Sequence, residues 1–221
     1  MIIQYEISDA LLEEELENLT THITGIAHET DEQNNQIFTA HIEASLVDVG
    51  EASDYDDAPL KEVFYRGSQE LVDVYNTLYE ENSQAYQYLS QLNWNWTEDK
   101  EYRNLLFIDS IFVSPAYRGK QLGLLTIYRT IQRFASNALL VVLDSRPLQC
   151  RENEELSPEL GLDKYTTDRY RATSRLSFYF ELLGFQSIPG SHYMVLNLDC
   201  KRPCIGDFRY PSKLETNESV N

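Results

Sequence analysis

One short segment gathers the residue types that hold an anion: Val113-Ser114-Pro115-Ala116-Tyr117-Arg118-Gly119-Lys120-Gln121-Leu122-Gly123. It separates an apolar run from an amphipathic one, so it is predicted to be a turn that opens a helix. Unpaired backbone N–H groups and the positive end of the helix dipole meet at such a point and can bind phosphate. Glycine lets a ligand reach the main chain, and Arg118 and Lys120 bring positive charge. The spacing is not a Walker loop, because no Gly-Lys-Ser/Thr triplet follows. Nor is it the Gly-x-Gly-x-x-Gly of a dinucleotide site.

The charge around this segment sets it apart. The 221 residues carry a net charge of −18, which repels polyphosphate and argues against a nucleic-acid binder. Residues 1–109 hold 24 acidic and 4 basic side chains, a net −20, whereas residues 144–221 are close to neutral at −2. Between them, residues 110–143 contain no carboxylate but carry Arg118, Lys120, Arg129 and Arg133. That island suits an anion, or is one solvated helix face. Arg129 and Arg133, at i, i+4 spacing, fit the solvated face better than a phosphate site.

Other reactive side chains form no pattern. Cys150, Cys200 and Cys204 are odd in number in a chain too large to need stapling, so reduced thiols are expected. Cys200 and Cys204 make at most half a tetrahedral metal site, and His22, His28, His41 and His192 lack ligand spacing, so no metal is expected. Cys150 has no neighbouring histidine to activate it. No apolar window approaches membrane-spanning length, and the first residues lack the order of a signal peptide, so a cytoplasmic protein without membrane contact is expected.

The elements that would position the turn follow from periodicity. Residues 1–7 alternate as a strand, and Ser8 can cap a helix running to about Leu19. Residues 20–29 and 36–49 read as a hairpin around the polar run 30–35, and residues 50–59 as an acidic loop. Residues 68–92 have helical spacing and many tyrosines. Residues 104–113 form a strand apolar enough to be buried on both faces, interrupted by Asp109, and Ser114-Pro115 stops it. A helix over 121–135 and a buried strand over 138–144 complete a βαβ unit whose strands can lie parallel. After a polar loop over 149–171 come a helix over 173–183 closed by Gly184, and two strands, 185–188 and 193–198, around Pro189-Gly190-Ser191. With 42% hydrophobic and 24% charged residues and no Pro/Gly/Ser-rich linker, one folded domain over 1–200 with a polar tail over 201–221 is expected.

Arg118-Gly119-Lys120-Gln121-Leu122-Gly123, following Ile111-Phe112-Val113, resembles the GNAT superfamily of acyl-CoA N-acyltransferases, whose signature is Arg/Gln-x-x-Gly-x-Gly/Ala after such a strand. Phe178-Tyr179-Phe180-Glu181-Leu182-Leu183-Gly184-Phe185, followed by Tyr193-Met194-Val195-Leu196, is similar to the family's penultimate helix and last strands. The resemblance spans about 104–144 and 172–198. It implies an α/β fold with a central, mostly antiparallel mixed sheet, a parallel splayed pair around the cofactor turn, and here a helical insertion over about 51–102. It further implies an acetyltransferase that takes acetyl-CoA and no metal, with the pyrophosphate on Arg118, Gly119, Lys120, Gln121, Leu122 and Gly123 and the pantetheine along Ile111, Phe112 and Val113.

Two positions depart from the family's pattern. Gln121 stands where the central glycine is usual, so the cradle is expected to need helical φ at Gln121 and an outward side chain. The family's frequent catalytic tyrosine aligns with Phe180, one position after Tyr179. The resemblance makes Asp109 the general base, with a buried structural carboxylate as the alternative; Tyr179, a polar side chain on a helix near the expected thiol, is the candidate general acid, with a core tyrosine as the alternative. The acidic first half and tyrosine-rich helix hint at a cationic small-molecule or protein amine as acceptor, and Trp94 and Trp96 either wall its pocket or anchor the core. A homodimer is compatible with the sequence. A non-catalytic acyl-CoA-binding module, or an unrelated α/β domain whose turn is only structural, are the competing readings.

Overall fold

The computed structural model describes residues 1–9, 19–50, 60–80, 104–150, 161–162, 168–199 and 203. Trp94, Trp96, Cys200, Cys204, the acidic loop over 51–59 and the chain beyond 203 lie outside them. The described strands are β1 (Ile2–Asp9), β2 (Thr20–Thr30), β3 (Gln36–Val47), β4 (Asn104–Val113), β5 (Ala138–Asp144), β6 (Gln186–Ser187) and β7 (Tyr193–Asn197). The helices are α1 (Leu60–Arg66), α2 (Gln69–Leu78), α3 (Leu122–Phe134) and α4 (Arg169–Glu181).

All seven strands join one sheet in the order β1-β2-β3-β4-β5-β7-β6. Every neighbouring pair is antiparallel except β4 and β5, which run parallel on either side of the α3 crossover. This is the mixed α/β architecture that the resemblance implied. The β2–β3 turn is set by Asp31, whose carboxylate accepts from the backbone N–H of Gln33 (2.8 Å) and Asn35 (2.7 Å) while Asn34 adopts φ 63°.

The sheet is covered on two faces. Ile42, Ala44, Leu106, Ile108, Val141 and Leu143 pack with Leu124, Ile127 and Ile131 of α3 and Phe180 of α4. On the other face Val47, Leu105, Phe107, Leu140, Val142 and Tyr193 meet Val63 and Phe64 of α1 and Leu71, Val74 and Leu78 of α2. Central β5 is buried along its whole length, as its unbroken apolar run requires.

Several predicted boundaries shift for local reasons. Ser8 stays in β1, paired with His22, and the helix expected to run from it to about Leu19 falls on residues 10–18, outside the described ones. The helix expected from Ser68 to residue 92 is described only through Leu78, where Tyr79 caps it, and Ser68 is its N-cap, accepting from Leu71 N–H. Helix α4 starts a turn before residue 173, because Asp168 caps it through Arg171 N–H at 3.2 Å. Among the described residues no helix is long and apolar enough to cross a membrane.

Candidate active site

A β-bulge opens the sheet where the signature strand ends. Glu43 pairs with Ser110, but its neighbour Ala44 pairs with Ile108, leaving Asp109 as the extra residue in β4. An inserted residue bends its strand and breaks the ladder. On the other side, the parallel ladder to β5 stops at the Ile108–Leu143 pair. Beyond it Ile111, Phe112 and Val113 diverge from β5 and line a cavity of about 460 Å³. Strand β4 is therefore not buried on both faces throughout: Leu105, Leu106, Phe107 and Ile108 are, whereas residues 109–113 are only partly buried.

Most of the predicted cofactor residues meet in that cavity. Arg118, Gly119, Gln121, Leu122 and Gly123 line it together with the free end of β4, whereas Lys120 does not. Lys120 instead places its ammonium 4.9 Å from the Tyr117 ring centroid. Arg118 donates from Nε to Val113 O at 2.8 Å and from a terminal guanidinium nitrogen to Gly161 O at 3.2 Å, with its guanidinium 5.5 Å from the Phe112 ring. Its side chain thus clamps the end of β4 to the segment at Gly161 and still brings its charge to the cavity wall. Arg129 and Arg133 are exposed.

The turn departs from expectation at Gln121. Its φ is +58°, in the left-handed region, and its side chain makes no capping hydrogen bond to α3. The expected helical φ and outward side chain are both incorrect: Gln121 Oε1 is enclosed without a partner, and the residue lines the cavity. Gly119 is also left-handed, at φ +78°. The backbone thus keeps a glycine-type conformation at the signature's central position and forces it on a glutamine. At Gly123 an added Cβ would lie 3.4 Å from Val113 Cγ2 and 3.5 Å from the Tyr179 hydroxyl. Any larger side chain there would fill the space between the turn and α4.

Tyr179 faces this space, and Phe180, the position aligned with the family's tyrosine, is 1% exposed and sits in the core. Leu124 N–H, one of the four unpaired donors in the first turn of α3, donates to the Tyr179 hydroxyl at 3.3 Å. Burial raises the phenol above its ordinary value and this hydrogen bond only partly opposes the shift, so the hydroxyl is protonated at neutral pH. Its own proton remains available to an acceptor in the cavity.

Asp109 occupies a different surface. Ile108 and Ile111 both pack toward α3, so Asp109 and Ser110 between them turn to the opposite face. There Ser110 Oγ donates to Glu43 at 3.5 Å. Asp109 is partly buried and does not line the cavity that holds Tyr179. Cys150 is a free thiol, also outside that lining.

Sequence reasoning missed the far wall. Asp144, whose side chain is fully buried, ends β5 and binds Arg146 through Nε–Oδ1 (3.1 Å), Nε–Oδ2 (2.9 Å) and a terminal nitrogen to Oδ2 (2.7 Å). Burial works against the guanidinium's charge, but the hydrogen bonds and charge of Asp144 outweigh it and raise its affinity for the proton. By strand alternation from Leu140 and Val142, Asp144 points to the α2 layer. The cavity, lined by Asp144 and Arg146 as well as by Gly123, Leu176 and Tyr179, therefore reaches from the α3–α4 layer through the β4–β5 gap. An Asp and an Arg two residues apart at a strand end were the only sequence signal.

Arg146 also borders a more open cavity of about 730 Å³ between α4 and the β6–β7 turn, lined by Thr173, Ser177, Glu181 and His192 among others. It contains none of the predicted site residues. His192 is anchored through its carbonyl, which accepts from Ser145 N–H at 3.0 Å. Burial lowers its imidazole below 6.5, while Asp144 and Asp73 oppose the shift and Arg146 and Arg169 add to it. The neutral folded form means that the unfolded chain takes up the proton first as pH falls. The stability from neutral His192 is complete above pH 6.5 and lost as pH falls through that value toward the folded one. Replacing His192 by Gln is expected to flatten the acid limb of Tm against pH; an unchanged limb would place that proton uptake elsewhere.

No family model and no curated protein matches this sequence. Solved structures similar to it include a point mutant of KacT, with a TM-score of 0.39 and 8% identity over 90% of this chain and 96% of that one. Another is the apo form of a mutant agmatine N-acetyltransferase, with a TM-score of 0.33 and 14% identity over 81% of this chain and 76% of that one.

Proposed function

We propose that this protein is a GNAT-type N-acetyltransferase that moves the acetyl group of acetyl-CoA to a primary amine in a ternary complex. The observation that carries the reading is the convergence, in one 460 Å³ cavity, of the free end of β4, the left-handed turn before α3 and the Tyr179 hydroxyl. A bare Gly123 and the first-turn N–H groups of α3 leave room and donors for a diphosphate, and residues 111–113 offer an unpaired strand edge to an extended amide-bearing arm. Acetyl-CoA supplies an activated thioester there.

In this reading the strand edge orients the arm, and a backbone N–H of residues 111–113 polarises the acyl carbonyl, a contribution of about 3–4 kcal/mol for a well-placed donor. Tyr179 gives its proton to the departing thiolate. The amine approaches from the α2 face, where Asp109 is the first residue of β4 past the β5 ladder, Glu43 lies across β4 beside Ser110, and Asp73 adds negative charge near Arg146. Those carboxylates favour a cationic acceptor, and Asp109 takes the amine's proton directly or through water.

Thiol release from acetyl-CoA, followed against a panel of polyamines, aminoglycoside-type amines and lysine peptides, tests this reading. At least one amine is expected to accelerate release, and Asp109→Asn is expected to lower that rate about 100-fold. If every amine fails while CoA binds, the transfer reading is wrong and a non-catalytic acyl-CoA-binding role takes its place.

A further inference from the structure

The apolar cluster under α1 and α2 takes in Leu105 and Phe107 of β4 and no later residue of that strand. Beyond it Ser110 and Phe112 occupy the same side of the sheet, paired with Glu43 and His41 of β3. Two large apolar side chains are exposed on this side, Phe38 at 39% and Ile26 at 36%. Phe38 stacks on Phe112, with ring centroids 6.0 Å apart and 11° between the planes. Phe112 also lines the 460 Å³ cavity, so the aromatic pair runs from the cavity out to the open face. Two residues back along β4, a distance of about 7 Å, Ser110 Oγ meets the carboxylate of Glu43. That side chain is 52% exposed and within reach of a ligand.

Arg118 decides which end of a ligand carries charge. Its guanidinium lies 5.5 Å from the Phe112 ring centroid, so that ring already holds a cation and a second ammonium beside it would be repelled. The aromatic end is therefore suited to an uncharged ring, and the Glu43 end to an ammonium.

We propose that the acceptor is an arylalkylamine, whose ammonium is drawn to Glu43 and whose aromatic ring, two or three carbons away, packs on Phe38. The inference rests on the transfer reading and names the acceptor class within it. A polyamine or an aminoglycoside has no aromatic ring to place there. The transfer is the one already described: the C–N bond forms, the C–S bond breaks, the amine's proton goes to Asp109 and the thiolate takes that of Tyr179.

Steady-state thiol release from acetyl-CoA compares 2-phenylethylamine with n-butylamine in the wild type and in Phe38→Ala. The wild type is expected to favour the aryl amine about 30-fold in kcat/KM, and Phe38→Ala to cut that preference to about threefold. The ratio is taken within each protein, so a general loss of activity does not move it, and Phe38→Leu serves should the Ala variant fail to fold. A wild-type kcat/KM for 2-phenylethylamine no higher than for n-butylamine, or an unchanged preference in the variant, overturns the proposal. Should no amine release thiol, calorimetric titration of both amines into the wild type and Phe38→Ala with CoA present reads the contact alone. Binding of the aryl amine about tenfold tighter than n-butylamine, and weakened by Phe38→Ala, then upholds the site although the transfer reading has failed. No such difference overturns both.

Discussion

Replacing Tyr179 by phenylalanine is expected to lower turnover about 100-fold while changing the acetyl-CoA dissociation constant by less than about threefold. The hydroxyl is the only part removed, and the ring's packing beside Phe180 and Leu176 is retained. Its burial keeps the phenol protonated, so what is lost is a proton donor rather than a charge. A second, smaller effect follows from Leu124. Its N–H at the start of α3 loses its acceptor, and the unfolding free energy is expected to fall by about 1 kcal/mol. The two effects separate experimentally, because the stability change appears in urea denaturation and the turnover change in steady-state thiol release. An unaltered kcat with only the stability change would make Tyr179 a helix-capping residue and remove it from the chemistry.

Arg146→Met is expected to destabilise the fold by about 3 kcal/mol, because it takes the guanidinium away from the fully buried carboxylate of Asp144, which keeps the backbone N–H of residue 146 at 2.8 Å but loses its opposite charge. Isolated ion pairs at a surface are worth little, but here the carboxylate is fully buried and would lose the guanidinium's charge together with its hydrogen bonds. The double variant Asp144→Leu/Arg146→Met removes both charges and is expected to recover most of that loss. Urea unfolding of the two single variants and the double gives the coupling directly. A loss below about 1 kcal/mol for Arg146→Met would mean that water or another cation reaches Asp144.

Much of the scaffold could be read from local signals. Residues 104–113 and 138–144 are apolar runs bounded by Ser114-Pro115 and by the polar turn after Asp144, and the strongly periodic stretch between them is α3. That pattern reads as a βαβ unit whose strands can lie parallel, and it places the signature turn at a helix start. The bulge at Asp109 was not legible, because a bulge is a property of pairing: it depends on how β3 registers against β4, and the sequence of β4 alone reads as a continuous strand. The conformation of Gln121 was hidden because glutamine carries no preference for positive φ; only the glycine expected in the family's pattern hinted at it. Tyr179 was ambiguous by one position, or about 100° on a helix. Both residues border the cavity, but Phe180 is 1% exposed and packed in the core, and the hydroxyl that reaches the start of α3 is that of Tyr179. The Asp144–Arg146 pair was hidden because Arg146 lies beyond the end of β5, where strand periodicity no longer fixes where its guanidinium goes.

The opposition of charge also gains a location. The basic, carboxylate-free stretch contributes the turn and α3 on one side of the gap, and Asp109, Glu43 and Asp73 stand toward the other. In the proposed reading, a polyanionic donor and a cationic acceptor would approach one thioester from opposite faces without competing for the same charges.

The most direct measurement is calorimetric titration of acetyl-CoA into the wild type and into Gly123→Val, whose added side chain would enter the space between Val113 and the Tyr179 hydroxyl. Saturable binding well below about 1 mM for the wild type and a loss of at least about 100-fold for Gly123→Val are predicted. Absence of heat with the wild type at millimolar acetyl-CoA, or equal affinity in a folded Gly123→Val, would contradict the assignment of the β4–β5 gap as the acyl-CoA site.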